Sequence, residues 1–431
     1  MCRKKEATPP LYSLLMKTSV VMKILYYSTL VLILLPPLSL GIISTHLLAK
    51  ISIGILSLYL IKTGFTIPKH LKTLSILLLL FFISQSLSVI SVVNFPAFIV
   101  RYQNVIAGVL LGYVSMGMID TQKTIDRIVN LLFSVVIFNL LFQTALYLWR
   151  DSLALLLQPI LNSSFANLLI FNIRRDRLYI ESYDELFIPL ALTILIQGKK
   201  YWIGIIIVGI SLIAFLSNTR TRLLMATVGI VSGFIILRQR LQLVVVAGVL
   251  LVLFFFVDAA LLSHSSYSLF DRLTDSPDWR IEQWQRAVEI GSRNPLTGVC
   301  LGNYYDYFGT EVQDINNREL ENFDIVAPNS EEFVHNIVFG TFAESGVLGL
   351  ISLLSLLGYC LYWDIQRYKN GDMFALAFSA GFWILIVYAL LNPSNTFRFL
   401  SLFVLIRVLA AQAMLLERSH RKTSKRSISR L

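Results

Sequence analysis

The sequence predicts an all-α, polytopic membrane protein with about twelve transmembrane helices, and three observations carry that expectation. The 431-residue chain is 56 % hydrophobic and only 15 % charged, with a mean hydropathy of +0.69. A water-soluble core cannot enclose so much apolar chain. Apolar runs of bilayer-spanning character fall at about 22–44, 47–61, 71–93, 97–119, 128–149, 185–197, 201–217, 222–237, 241–262, 335–363, 373–391 and 397–416; a crossing helix needs roughly 20 such residues. Finally, every second connection is basic. Lys62/Lys69/Lys72, Lys123/Arg127, Lys199/Lys200, Arg238/Arg240, Arg367/Lys369 and the tail at 418–430 all fall on one side once the N-terminus is placed in the cytoplasm, as the positive-inside rule requires.

One connection is far longer than the rest. Residues 263–334 hold 13 of the 26 acidic residues, five arginines and no lysine, for a net charge of −8, and the remaining chain carries +19. A large domain without lysine reads as the translocated one. The expected organisation is nine spans in 1–262, an extracytoplasmic loop domain at 263–334, three spans in 335–416, and a basic cytoplasmic tail at 417–431. The net +11 is explained by topology, which argues against nucleic-acid binding. Cys2, Cys300 and Cys360 have no metal-ligand spacing, and no disulfide framework is expected. The basic N-terminal segment precedes a long apolar run without a cleavage signature and reads as a retained first span.

Two translocated loops carry arginines against the charge rule. One contains Arg174-Arg175-Asp176-Arg177, and the other is the turn Ser217-Asn218-Thr219-Arg220-Thr221-Arg222. Such arginines either form salt bridges to the acidic loop or to lipid phosphate, or build an anion site, because guanidinium binds phosphate bidentately. Within the long loop a helix is signalled over about 277–290. Ser276 suits the N-cap, Pro277 the first helical position, and Asp278 the positive end of the dipole. Ile281, Trp284 and Val288 share one face, Arg280 lies one turn from Trp284, and Asn294-Pro295 closes the helix. Arg280 is either paired with the loop's acids or aimed at a substrate phosphate.

The tenth span is expected to start before the bilayer, with Asn329 and Glu332 as a capping box and His335 on its second turn at the interface. Deeper in lie two ionisable residues, Glu344 and Arg407. Intramembrane charges are costly and usually paired or functional, and their matching depths suggest that these two pair with each other.

HNIVFGTFAESGVLGL, at 335–350, resembles the hallmark of the O-antigen ligase and O-antigen polymerase superfamily, a His-Asn pair followed by an acidic residue, small residues and Gly-x-x-Gly. LSNTRTRLL around Arg220 is similar to the family's Ser-Arg turn. WRIEQWQRAVEIGSRNPLTGVCLGNY, at 279–304, is similar to its Arg…Trp…Ala…Pro-x-x-Gly segment, with Gly298-Val299-Cys300-Leu301-Gly302 where the family has Gly-x-Gly and Thr221 where it has glycine. The three pieces stand in the family's order.

The resemblance implies a GT-C-like, metal-independent and cofactor-free membrane glycosyltransferase in the bacterial inner membrane, with both termini cytoplasmic. Its donor would be an undecaprenyl-diphosphate-linked glycan, its acceptor a hydroxyl of lipid A–core or another glycan on the periplasmic face, and its surroundings membrane lipid. By motif position, Arg220 and Arg280 would hold the diphosphate and stabilise charge on the leaving group, with Arg222, Arg174 and Arg177 as further diphosphate candidates. His335 would activate or orient the acceptor hydroxyl. A polymerase, taking a second carrier-linked glycan as acceptor, shares all three motifs. A transporter or flippase also fits twelve spans, but IKTGFTIPKHLK has no Gly-x-x-x-Asp-Arg-type signature of a major-facilitator carrier.

Overall fold

A computed structural model describes residues 10–35, 39–40, 43–148, 183–198, 202–216, 220–237, 277–304, 334, 336–392 and 396–428. In chain order these form α1 (Pro10–Leu34), β1 (Ser39–Leu40), β2 (Ile43–Ser44), α2 (Thr45–Lys62), α3 (Lys72–Leu87), α4 (Phe95–Met118), α5 (Gln122–Leu148), α6 (Ile188–Gly198), α7 (Ile203–Leu216), α8 (Arg220–Ile236), α9 (Pro277–Arg293), α10 (Ile337–Asn370), α11 (Met373–Ala389) and α12 (Phe397–Ile428). β1 and β2 pair antiparallel over two residues each.

Eleven of the predicted apolar runs coincide with helices, and the run at 241–262 lies outside the described residues. Five stretches, Thr45–Lys62, Lys69–Ser91, Phe95–Met118, Gln122–Ala145 and Ile337–Asn370, are long and apolar enough to cross a bilayer, and Val20–Leu34, Ile203–Ala214, Thr221–Ile236 and Met373–Ala389 are shorter apolar helices. The protein is a helical, multi-pass membrane protein. Its outward faces bear this out: Ile51, Leu58 and Ile61 on α2, Ile76 and Leu79 on α3, and Ile205 and Val208 on α7 are exposed. In hydrocarbon such side chains meet a solvent as apolar as themselves.

The first run is displaced from its expected place. α1 ends at Leu34, and Ser39–Leu40 and Ile43–Ser44 are strands rather than helix. Pro36 and Pro37 supply the reason, because proline lacks the donor a helix needs and excludes helical geometry from the residue before it. The chain then reverses through the β1–β2 pairing into α2, where the Ser44 hydroxyl accepts the Leu47 N–H at 3.1 Å. Asn94 caps α4 in the same way, accepting the Ala97 N–H at 3.2 Å.

α4, α11 and α12 form the centre of the bundle; from Phe397 to Ala413 every residue of α12 is buried. α4 approaches α12 through Gly108 and Gly112, where an added Cβ would lie 3.2 Å from Leu400 and 2.4 Å from Val404. α8 approaches α6 through Gly229 and Gly233 in the same manner. Small residues four apart let membrane helices pack at backbone distance.

The expected pairing of Glu344 with Arg407 is not what the structure shows. Arg407 Nη1 donates to both oxygens of Asp364, at 2.8 and 3.0 Å, and its Nη2 donates to the Cys360 carbonyl at 3.0 Å. Asp364 also accepts from Ser379 Oγ at 2.8 Å and Trp383 Nε1 at 2.7 Å. Asp364 lies one turn beyond Cys360 on α10, facing α11 and α12, whereas Glu344 lies before the break in that helix and faces the connection after α9.

Candidate functional site

α10 is broken. Gly346 stands within it at φ 63, ψ −161, which interrupts the ladder of i to i−4 hydrogen bonds. The segment 294–304, which follows α9, inserts its backbone into that break. Val299 N–H donates to the Ala343 carbonyl at 2.9 Å, Val347 N–H to the Pro295 carbonyl at 2.8 Å, and Leu348 N–H to the Leu296 carbonyl at 3.3 Å. At membrane depth an unsatisfied backbone group costs several kcal/mol, so irregular chain persists only where protein satisfies it. The fit leaves no room for side chains. A Cβ on Gly346 would lie 2.5 Å from the Leu296 carbonyl, and one on Gly298 would lie 2.4 Å from the Glu344 carbonyl carbon. Both glycines also hold a positive φ, which only glycine adopts without strain.

On its other side the same segment grips the turn between α3 and α4. Asn303 Oδ1 accepts the N–H groups of Val93 and Asn94, and its Nδ2 donates to the Asn94 carbonyl at 3.1 Å. Leu301 N–H donates to Ser88 Oγ at 3.2 Å, and Gly302 N–H donates to Glu344 Oε1 at 3.1 Å. Cys300, at the second glycine position of the motif, has φ 84 and is buried; burial pushes its thiol up to about 11.

α9 runs from Pro277 as expected and ends at Arg293, three residues later than the spacing suggested. Its packed face differs from the expected one. Ile281 and Val288 are exposed, while Ala287, Ile290 and Gly291 are buried beside Trp284. Trp284 stacks on Phe339 with centroids 5.5 Å apart, and the Cβ position of Gly291 faces the Phe342 ring. The seam therefore follows 284, 287, 290 and 291 because α9 lies against the front of α10, and small residues allow that approach.

The start of α10 also differs. Its N-cap is Asn336, which accepts the N–H groups of Val338 and Phe339 at 2.9 and 3.3 Å. Val334 is not helical and the helix begins at Ile337, while Asn329, Glu332 and His335 lie outside the described residues. Asn336 suits the cap because its own side chain satisfies two orphan N–H groups at once. Its Nδ2 donates to the Leu390 carbonyl at the end of α11.

A second polar cluster flanks that end of α11. Arg222, two residues into α8, places Nε 2.6 Å from Glu185 Oε1 and Nη1 2.8 Å from Gln143 Oε1. Asp184 accepts from Asn139 at 3.0 Å and from Gln143 at 3.3 Å. Arg222, Glu185 and Asp184 are all buried, and the preceding Tyr183 meets Tyr388 of α11 edge-on at 5.1 Å. Arg222 is thus held by a carboxylate of its own chain, which anchors the start of α8.

Arg220 is the first residue of α8 and Arg280 stands in the first turn of α9, while His335, Arg174 and Arg177 lie outside the described residues. The structure brings together the neighbours of the predicted residues at one end of α11, with Tyr183 and the Arg222 cluster on one side and Asn336 on the other. Among the described residues no group of three His, Cys, Asp or Glu is placed to hold a metal ion. Residues missed from sequence include Asp184 and Glu185, an acidic pair at the mouth of an apolar run, and Gly346, the first glycine of Gly-x-x-Gly.

Residues 205–354, from α7 to just past the break in α10, match the model of the O-Antigen ligase family. This stretch of the chain is similar to the O-antigen ligase family. The matched range contains all three motifs around Arg220, Arg280 and His335 and supports the resemblance to the O-antigen ligase and polymerase superfamily. The matched stretch also includes the inserted segment, both strained glycines and the Asn336 cap. No curated protein matches the chain.

Proposed function

We propose that the protein transfers a glycan from an undecaprenyl-diphosphate carrier to an acceptor hydroxyl on the outer face of the bacterial inner membrane, in the manner of an O-antigen ligase. The observation that carries this reading is the family match across α7 to α10, together with the architecture that it encloses. In this reading twelve spans form a GT-C-like body with cytoplasmic termini, and 263–334 is its periplasmic loop. Arg220 and Arg280 sit at the N-terminal ends of α8 and α9, where guanidinium and backbone N–H groups can serve one phosphate. They bind the diphosphate and stabilise its charge as the glycosyl bond breaks. Arg174 and Arg177 are auxiliary phosphate ligands. His335, next to the Asn336 cap, accepts the proton of the acceptor hydroxyl or orients it. No metal takes part.

The test is transfer by the purified protein in liposomes, supplied with a carrier-linked oligosaccharide and either lipid A–core or a second carrier-linked glycan. The ligase reading expects product on lipid A–core, undiminished by EDTA and absent in His335→Ala. Elongated carrier-linked product alone would make the protein a polymerase. Undiminished product in His335→Ala would remove that residue from the mechanism.

A further inference from the structure

α9 has more apolar surface than its seam with α10 uses. The seam runs along 284, 287, 290 and 291. Ile281 and Val288 lie on the neighbouring flank, three residues before and four after Trp284, and both are exposed. The far side of the helix is charged. Glu289 and Arg293 are exposed there and pair at 3.3 Å, four residues apart. A helix with a charged face and a bulky apolar flank outside its packing seam suits a membrane–water interface.

The flank continues into a wall that faces lipid. Just after α9, Leu296 is 66 % exposed, and its carbonyl accepts the Leu348 N–H at 3.3 Å. Leu348, Ile351 and Leu354 are exposed on one side of α10 at three-residue spacing, and Leu361 and Ile365 extend that stripe. α10 is long and apolar enough to cross a bilayer, so the stripe meets hydrocarbon. Leu296 stands at the N-terminal end of that stripe.

Thr297, the next residue, places Oγ1 3.1 Å from Ser91 Oγ in the turn between α3 and α4. Ile90, Val93 and Phe95 at that turn are exposed as well. The N–H groups of Val93 and Asn94 nevertheless donate to Asn303 Oδ1. Exposed apolar side chains over a backbone satisfied from within are the pattern that lipid imposes on irregular chain. A water-facing surface rarely leaves so many large apolar groups side by side.

We infer that α9 lies in the membrane interface at the start of α10, with Ile281, Val288 and Leu296 in hydrocarbon and Glu289 and Arg293 among the headgroups. The partner is the bilayer itself. α9 thereby ties the segment seated in the α10 break to the level of the membrane surface. Its first turn, which carries Arg280, is held at headgroup depth. The inference does not depend on the transfer reaction.

The test is spin-label power saturation on the full-length protein in nanodiscs of phosphatidylethanolamine and phosphatidylglycerol. Cys2→Ser is the background, since Cys300 and Cys360 are buried. Labels are placed singly through Ile281→Cys, Val288→Cys and Leu296→Cys on the flank and Glu289→Cys on the charged side, each variant first shown to keep the wild-type melting temperature. Ser292→Cys, nearly isosteric and four residues from Val288, reads the same flank if a larger replacement unfolds. Flank labels should collide with oxygen more than with a water-soluble nickel complex and report depths of about 5–10 Å below the phosphates. The label at 289 should favour nickel. Flank labels no deeper than the label at 289 would overturn the proposal. So would flank labels that neither reagent reaches, which would mean that the rest of the chain covers the flank.

Discussion

Val347 donates its backbone N–H to the carbonyl of Pro295 at 2.8 Å, across a gap that no side chain could enter. The two residues are 52 positions apart, one in the middle of a membrane helix and the other in the connection after α9. Their contact joins the segment 294–304 to the broken helix through backbone alone.

Gly346→Ala and Gly298→Ala should each destabilise the protein by at least about 2 kcal/mol, since each adds a clash below 3 Å to a positive φ. Gly358→Ala is the control. Nothing lies within 4 Å of its Cβ position, and in a helix alanine is favoured over glycine by about 0.5–1 kcal/mol. Thermal unfolding in detergent distinguishes the three. Equal melting temperatures would mean that the segment 294–304 does not seat in the break.

Removal of Arg222 strands the buried carboxylate of Glu185. Arg222→Met should cost about 3–5 kcal/mol, and Arg222→Met with Glu185→Leu should recover most of it, because a buried pair can be replaced by apolar groups more cheaply than it can be halved. The recovery, followed by denaturation in detergent, is the signature of an internal anchor. A double variant no more stable than the single one would point Arg222 elsewhere.

Double-mutant cycles separate the two carboxylates of α10. Asp364→Asn and Arg407→Met should couple by more than about 1 kcal/mol, and Glu344→Gln and Arg407→Met should add within about 0.5 kcal/mol. The reverse pattern would restore the pairing of Glu344 with Arg407.

Arg280→Lys should reduce glycan transfer at least tenfold with little change in melting temperature, because the planar fork is lost while the charge stays. Single-turnover transfer with the carrier-linked donor measures this. Wild-type transfer would place Arg280 in an ion pair of the acidic loop.

Much of this was readable beforehand. Eleven apolar runs became helices, and Pro277 and Asn294 bracketed α9, because local rules govern those features. The motif at 335–350 points to the family whose model matches 205–354 without any three-dimensional information. Partner choice was not readable. Arg407 had two carboxylates on α10 to choose between, and depth alone favoured Glu344, whereas the rotation of α10 turns Asp364 toward α12. Hydrophobic size points to the wrong face of α9. Ala287 and Gly291 are small, and small residues mark close approach to Phe339 and Phe342. The end of α1 was misplaced because hydropathy ran on through Pro36 and Pro37.

Tyr304 and Val334 are buried in one small cluster with Ala287, Ile290, Val299 and Ala343. The 29 residues between them therefore leave and return at a single fixed base. Doubling a loop of that length costs only about 0.6 kcal/mol in closure entropy. Evolution can accordingly lengthen, shorten or exchange this cassette without disturbing the broken helix beneath it.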